Sequence, residues 1–410
     1  MPMYLIIGVW GGKERVYAAV KFFLYTMAGS VLMLLAILYT VWSYAQLAGH
    51  PTFDLEELQR LVFPYTTQIW LFAAFALAFA VKVPMFPVHT WLPDAHVQAP
   101  TGGSVILAAV LLKLGTYGFL RFAMPLFPLA THYMAPLVLV PLALVGILYG
   151  AWCAWVQKDV KKLVAYSSVA HMGFVMMGLF AMTEHGVSGA VLQMLNHGVS
   201  TGALFLLVGV IYERRHTRQL AEFGGLAKVM PWYAVLFVIV TMSSIGVPGT
   251  NGFVGEFMIL VGTFTSSSLQ DGARPFAVVG ALGVVFAAVY MLRAVLEMFW
   301  GPVERPENEG LPDVTLREVA TLAPLIVLVF WVGLYPRTFL EPMAASVRDF
   351  VTQYEGRKFE SARTSETKLM PPGAFVREKQ AAVPRFVPRQ GEPAQWAALV
   401  EAERRLDGEK

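Results

Sequence analysis

Cysteine is almost absent. Cys153 is the single one in 410 residues, which excludes a disulfide framework, a thiolate metal site and an iron–sulfur cluster. Charge is nearly as scarce: Asp, Glu, Lys and Arg make up 14% of the chain, against about 25% in soluble domains. The net charge of +3 is too small and too dispersed for nucleic-acid binding. Met1–Trp10 is apolar with no basic stretch ahead of it, a pattern unlike a cleavable signal. There is no phosphate loop, dinucleotide fingerprint, nucleophile elbow or haem attachment motif. What is abundant is apolar surface, with 56% of residues hydrophobic, more than a water-soluble domain of this size can hide. The charge is also unevenly placed. Residues 341–410 hold 12 Lys/Arg and 11 Asp/Glu, leaving 19 and 17 for the first 340. This division predicts a transmembrane domain over residues 1–340 and a polar tail over 341–410.

A bilayer core about 30 Å thick takes about 20 apolar residues as a helix. After a short remnant at 3–10, such runs fall near 22–46, 66–82, 103–123, 134–156, 163–182, 188–212, 231–265, 276–300 and 319–340. That is about nine full spans, and the fold class is an all-α polytopic membrane protein. The run 231–265 is too long for one ordinary span, and Gly246-Val247-Pro248-Gly249-Thr250-Asn251-Gly252 breaks it in the middle, so it reads as one discontinuous helix. Over alternate connections one side collects twelve basic residues, from Lys13 to Arg317 and including Lys161. The other has four, Arg60, Arg121, Arg274 and Arg337. The richer side is cytoplasmic, which puts Asp54, Glu56, Glu57 and the tail outside. Within the tail, the Pro-spaced stretch 371–393 is predicted to be extended and 393–406 a short surface helix.

Ionisable groups inside spans are the informative ones, because a charge near the bilayer centre costs roughly 3 kcal/mol on insertion scales. Lys82 ends an apolar run and is followed by Pro84 and Pro87, which remove backbone donors and interrupt the helix. Lys113 lies in the middle of the uninterrupted run Val105 to Leu120, and Glu256 just after the second break. Two interrupted helices, each with an ionisable group beside the break, match the sign of inverted-repeat transporters. His171 and His197 add imidazoles, which pass protons in either direction near neutral pH. Together Lys82, Lys113, His171, His197 and Glu256 read as a row of proton-carrying groups.

Plainer roles stay open for each. Lys82 can snorkel to the interface, Glu256 can stabilise its broken helix by a hydrogen bond, and either histidine can be a satisfied packing residue. Lys113 has no short route to water. Arg293 and Glu297 read as an intrahelical pair. His89, Asp94 and His96 superficially resemble a metal cluster, but a Pro-bounded segment without a fourth ligand favours capping and loop bonding.

The stretch Lys82-Val83-Pro84-Met85-Phe86-Pro87-Val88-His89-Thr90-Trp91-Leu92-Pro93-Asp94-Ala95-His96-Val97-Gln98-Ala99-Pro100-Thr101, running on to Lys113, is long and specific. With Ala165 to Gly173, Asn196-His197 and Gly252-Phe253-Val254-Gly255-Glu256-Phe257, it resembles the antiporter-like subunits of respiratory complex I, the bacterial NADH:quinone oxidoreductase. Glutamate in the second broken helix, where the L and N branches carry lysine, resembles the M-type branch. The resemblance implies a fourteen-helix bundle with two inverted five-helix repeats, each holding a discontinuous helix. Relative to that pattern the chain reads as N-terminally truncated, without four leading helices and without the glutamate that pairs with the lysine matching Lys82.

The resemblance further implies redox-driven proton translocation with no redox centre in this chain. Lys82 matches the lysine of the first broken helix, Lys113 the connecting lysine and Glu256 the ionisable group of the second broken helix. His171 and His197 match histidines on the axis between them. NADH, FMN, iron–sulfur clusters and quinone would be held by other subunits. The implied partners are the other membrane-arm subunits, especially the L and N types, and the lipid bilayer; the implied location is the bacterial inner membrane. Two further readings are a subunit of a multisubunit cation/proton antiporter or membrane-bound hydrogenase, and a non-pumping scaffold.

Overall fold

In lipid every backbone polar group must be satisfied within its own segment, so long apolar runs become helices. The computed structural model describes residues 2–371. It begins with α1 (Pro2–Trp10), α2 (Arg15–Ala48) and α3 (Tyr65–Lys82). Beyond the first interruption come α4 (Trp91–Gln98), α5 (Thr101–Leu126), α6 (Pro128–Trp155), α7 (Val160–Phe180) and α8 (Glu184–Arg215). The second interruption separates α9 (Pro231–Ile245) from α10 (Asn251–Phe264), and α11 (Ala273–Phe299), α12 (Leu316–Leu334) and α13 (Arg337–Ala362) follow. Eight helices among the described residues are long and apolar enough to cross a membrane. The shorter apolar helices α9 and α10 supply one more crossing in two halves. The all-α polytopic fold with two discontinuous helices is therefore the one expected.

Several ends are fixed by side chains. Asp159 caps α7 by accepting from the amides of Lys161 and Lys162, at 2.8 and 3.2 Å. Thr315 and Glu318 form a reciprocal capping box at the start of α12. Helices α7 and α8 lie at the centre, buried on nearly every side. In contrast, α2 turns Leu24, Met27, Val31, Leu34, Leu38 and Trp42 outward.

The structure draws the boundary of the helical body later than the charge count does. The last span ends at Leu334, and α13 then packs back over the bundle, its residues Val347 and Tyr354 buried. Tyr354 donates to Pro128 O at 3.1 Å, and Arg357 to Pro125 O and Gln59 Oε1 at 3.2 and 3.0 Å. A two-residue strand β1 (Leu61–Val62) pairs antiparallel with β2 (Lys368–Leu369). Residues 341–370 thus belong with the body. Helix α13 is amphipathic, so its charged outer face dominates the composition and conceals an apolar stripe. The extended stretch and short helix predicted between 371 and 406 fall outside the described residues.

Candidate functional site

The first interruption follows from proline chemistry. Pro84 has no N–H to offer Ala80 O, so the amide of Met85 takes that acceptor at 2.9 Å, and Val81 O receives the indole N–H of Trp91 instead, also at 2.9 Å. Lys82 stands at this break. Its Cβ is packed against Gly115 of α5, where any added Cβ would lie 3.0 Å from Lys82 Cβ and 2.9 Å from Phe79 O. Only glycine lets the two helices approach so closely. No hydrogen bond or ion pair among the described residues holds the Lys82 amine.

The second interruption is held by polar side chains. Asn251, fully buried, accepts from Ser243 Oγ at 2.5 Å and donates to Ser200 Oγ and Asn196 O at 3.2 and 3.3 Å. Asn196 Nδ2 in return donates to Asn251 O at 2.7 Å. The unwound segment is therefore tied to α8 by side chains standing in for lost helical hydrogen bonds. One turn beyond the break, Glu256 is 3% exposed.

Between the breaks runs a row of groups, half-buried at Lys113 and buried from His197 to Glu256. Lys113 follows a π-helical turn, Leu107–Leu111, and its Nζ donates to Ala108 O at 2.5 Å and meets His197 Nδ1 at 2.6 Å. The His197 and His171 rings are 5.8 Å apart. His171 Nδ1 lies 2.9 Å from Glu256 Oε1, the oxygen that also accepts from Gln193 Nε2 at 3.0 Å. His171 Nε2 is 3.3 Å from Ser244 Oγ. Beside both imidazoles is a cavity of about 10 Å³, lined also by Asn196, Ser200, Ser244 and Gly252. It has room for about one water. With Nδ1 accepting from the Lys113 amine, Nε2 of His197 carries its proton, and this buried nitrogen has no protein partner among the described residues. Four of the five predicted residues thus form one connected row, and Lys82 stands apart from it.

Sequence reasoning missed Gln193, Ser200, Ser243, Ser244 and Asn251. A signal existed for part of this set. Gln193, Asn196, His197 and Ser200 recur at helical spacing along an otherwise apolar span, which marks a polar stripe. Asp94 is bound to Lys21 Nζ of α2 at 2.7 Å rather than to its own loop, and His89 stacks on Phe86. Among the described residues no group of three or more His, Cys, Asp or Glu side chains is placed to hold a metal. Arg293 and Glu297 do pair, at 2.7 Å.

Comparison with known proteins places the chain in a family. The model of the family described as NADH:quinone oxidoreductase/Mrp antiporter, transmembrane, matches residues 1–287. The chain belongs to that family. Among its members, the NADH-quinone oxidoreductase subunit M of Rhodobacter capsulatus is 48% identical, over 86% of this chain and 69% of that protein. Among solved structures, respiratory complex I from Thermus thermophilus contains a chain with a TM-score of 0.76 and 36% identity, covering 85% of this chain and 72% of that one. A chain of the Mrp complex from Dietzia shares the fold, with a TM-score of 0.73 at 20% identity over 87% of this chain and 74% of that one.

Proposed function

We propose that the chain is a proton-translocating membrane subunit of NADH:quinone oxidoreductase, of the M type, in the bacterial inner membrane. The observation that carries this reading is the intramembrane row Lys113–His197–His171–Glu256, with a water-sized cavity at its one gap. A proton leaving Lys113 passes to His197. Water in the cavity links His197 Nε2 to Ser244, whose hydroxyl meets His171 Nε2, and His171 Nδ1 delivers to Glu256. Imidazole suits this relay because one nitrogen takes a proton as the other releases one. Lys82 is the ionisable group of the first break, a titrating position beside the connected row rather than within it.

Electron transfer from NADH to quinone is carried elsewhere in the assembly, on subunits holding FMN, iron–sulfur clusters and quinone, and this chain has no redox centre of its own. Its neighbours are other membrane-arm subunits, the L and N types foremost. The spans form the translocation domain, and residues 341–370 pack against its outer side. The test is Lys113→Ala in the assembled complex, reconstituted in vesicles with a pH-sensitive dye. The expected result is a lower proton-to-electron ratio with assembly retained. An unchanged ratio at full activity would overturn the reading.

A further inference from the structure

The charge count places Lys161 among loop cations, yet the residue is buried, 7% exposed, at the first turn of α7. A lysine near a span end ordinarily snorkels toward water. This one points inward, donating to Ala99 O, just past the end of α4, at 2.6 Å. Asp159 does not neutralise it directly. That carboxylate accepts from the Lys161 and Lys162 amides and pairs with Arg218 at 3.3 Å. Arg218 is itself fixed to Val97 O at 2.8 Å, and the Asp159–Arg218 pair is partly exposed at the end of the bundle that the distribution of basic residues assigns to the inner side.

Three residues back along α4 from Ala99, about 4.5 Å by helical rise, is His96. It is fully buried, its ring stacked on Phe205 at 4.5 Å, and neither ring nitrogen has a protein partner among the described residues. Asp94 is occupied by Lys21 and does not reach it. Buried imidazole nitrogens without protein partners mark places for water. Phe205, Thr201 and His197 are spaced by four on one face of α8, so the stripe that begins at His96 ends at the histidine bound to Lys113. The Thr201 hydroxyl is buried midway and lines the cavity. Lys113 Nζ reaches back toward the same end, to Ala108 O, four residues past the Ser104 whose hydroxyl donates to His96 O at 3.0 Å.

We propose that protons enter from the inner face at Lys161 and pass by water through His96 to the Lys113–His197 pair. The proposal rests on the proton-carrying reading of Lys113. Lys161 hands on a proton and regains one from water at the Asp159–Arg218 layer, while His96 accepts on one nitrogen and releases from the other. Proton number is conserved at each step. A purely structural alternative has Lys161 as a cap on the carbonyl end of α4. Lys161→Arg separates the two, because it keeps a cation and donors but does not release a proton at accessible pH. His96→Phe keeps the ring stack on Phe205 and removes the titratable nitrogens.

The experiment measures the proton-to-electron ratio of the assembled, vesicle-reconstituted complex for both variants beside Lys113→Ala, with assembly checked on native gels. Both variants are expected to show the same fractional loss as Lys113→Ala, and Lys161→His to recover part of it. Unchanged ratios in Lys161→Arg and His96→Phe, with the loss confined to Lys113→Ala, would overturn the entry route and leave the function standing. No loss in Lys113→Ala either would overturn the function itself.

Discussion

The two interrupted helices differ in how their ionisable groups are held. At the second break Glu256 accepts from His171 and Gln193, and the unwound backbone is tied to α8 through Asn251, Ser243, Ser200 and Asn196. At the first break the backbone is satisfied mainly by rearranged amides and one indole, and Lys82 has only packing contacts among the described residues. A broken helix in a membrane thus has two separable requirements: its freed backbone groups need partners, and its ionisable group needs a polar neighbour before it can exchange protons. The first break meets the first requirement within the described residues, and the second break meets both.

The largest effect that sharpens this contrast is expected from Glu256→Gln. The amide oxygen still accepts from Gln193 and His171, so the break keeps its shape and stability changes by less than about 1 kcal/mol. Proton release from that position stops. The ratio of protons to electrons should therefore fall as far as in Lys113→Ala, with an unchanged melting temperature. Full pumping in Glu256→Gln would reduce the residue to a structural role and make the two breaks alike.

Next in size is Asn251→Leu. The substitution takes the Asn251 side chain away from Ser243, Ser200 and the Asn196 carbonyl, while the two hydroxyls still meet each other at 2.6 Å; a buried group left unsatisfied costs about 1 to 3 kcal/mol. Membrane hydrogen bonds often measure nearer 0.6 kcal/mol, so a net loss of about 2 kcal/mol is expected, read as a drop in the thermal transition of the detergent-solubilised complex. Proton uptake should fall in parallel. A neutral result would mean that the polar ties merely accompany the break.

Helix α12 supplies a third handle. Gly333 abuts the unwound segment so closely that an added Cβ would lie 2.3 Å from Gly249 O. Gly333→Ala therefore forces backbone to move, at about 1 to 3 kcal/mol for overpacking. Pumping should be impaired more than electron transfer with an uncoupler present. Equal impairment of both would point to general misfolding rather than displacement of the break.

Much of this was legible in the sequence, for a physical reason. A lipid core makes each span a run of about 20 apolar residues, so Lys113 and Glu256 stand out against their surroundings, and Pro84, Pro87, Pro248 and the flanking glycines mark both breaks. Neutral polar residues were harder to see. Gln193, Asn196, Ser200 and Asn251 carry no charge, and their importance lies in which helices face each other across the breaks. The burial of Lys161 left no sign in the sequence, because a basic residue at a span end ordinarily belongs to the loop, and only the packed structure shows its amine turned inward. Helix α13 was hidden by averaging, since its buried stripe of Val347 and Tyr354 is outnumbered by charges on the other face.

The smallest effect on stability is expected at Lys82. With no hydrogen bond or ion pair among the described residues, replacing its amine by the thioether of Lys82→Met removes a cation from an apolar site and keeps the stem that packs on Gly115. Insertion scales put the relief at no more than about 3 kcal/mol, and partial exposure of the side chain makes the net gain smaller, so the melting temperature should stay level or rise slightly. Proton uptake, in contrast, should fall, though less than in Glu256→Gln, because the connected row from Lys113 to Glu256 remains intact. The divergence of the two measurements is the informative outcome. A loss of stability above about 1 kcal/mol would show that the Lys82 amine has a structural partner in the assembled complex, and the two breaks would then be equivalent in kind. Retained stability together with retained pumping would instead make Lys82 a snorkelling surface cation and leave the second break as the titrating one.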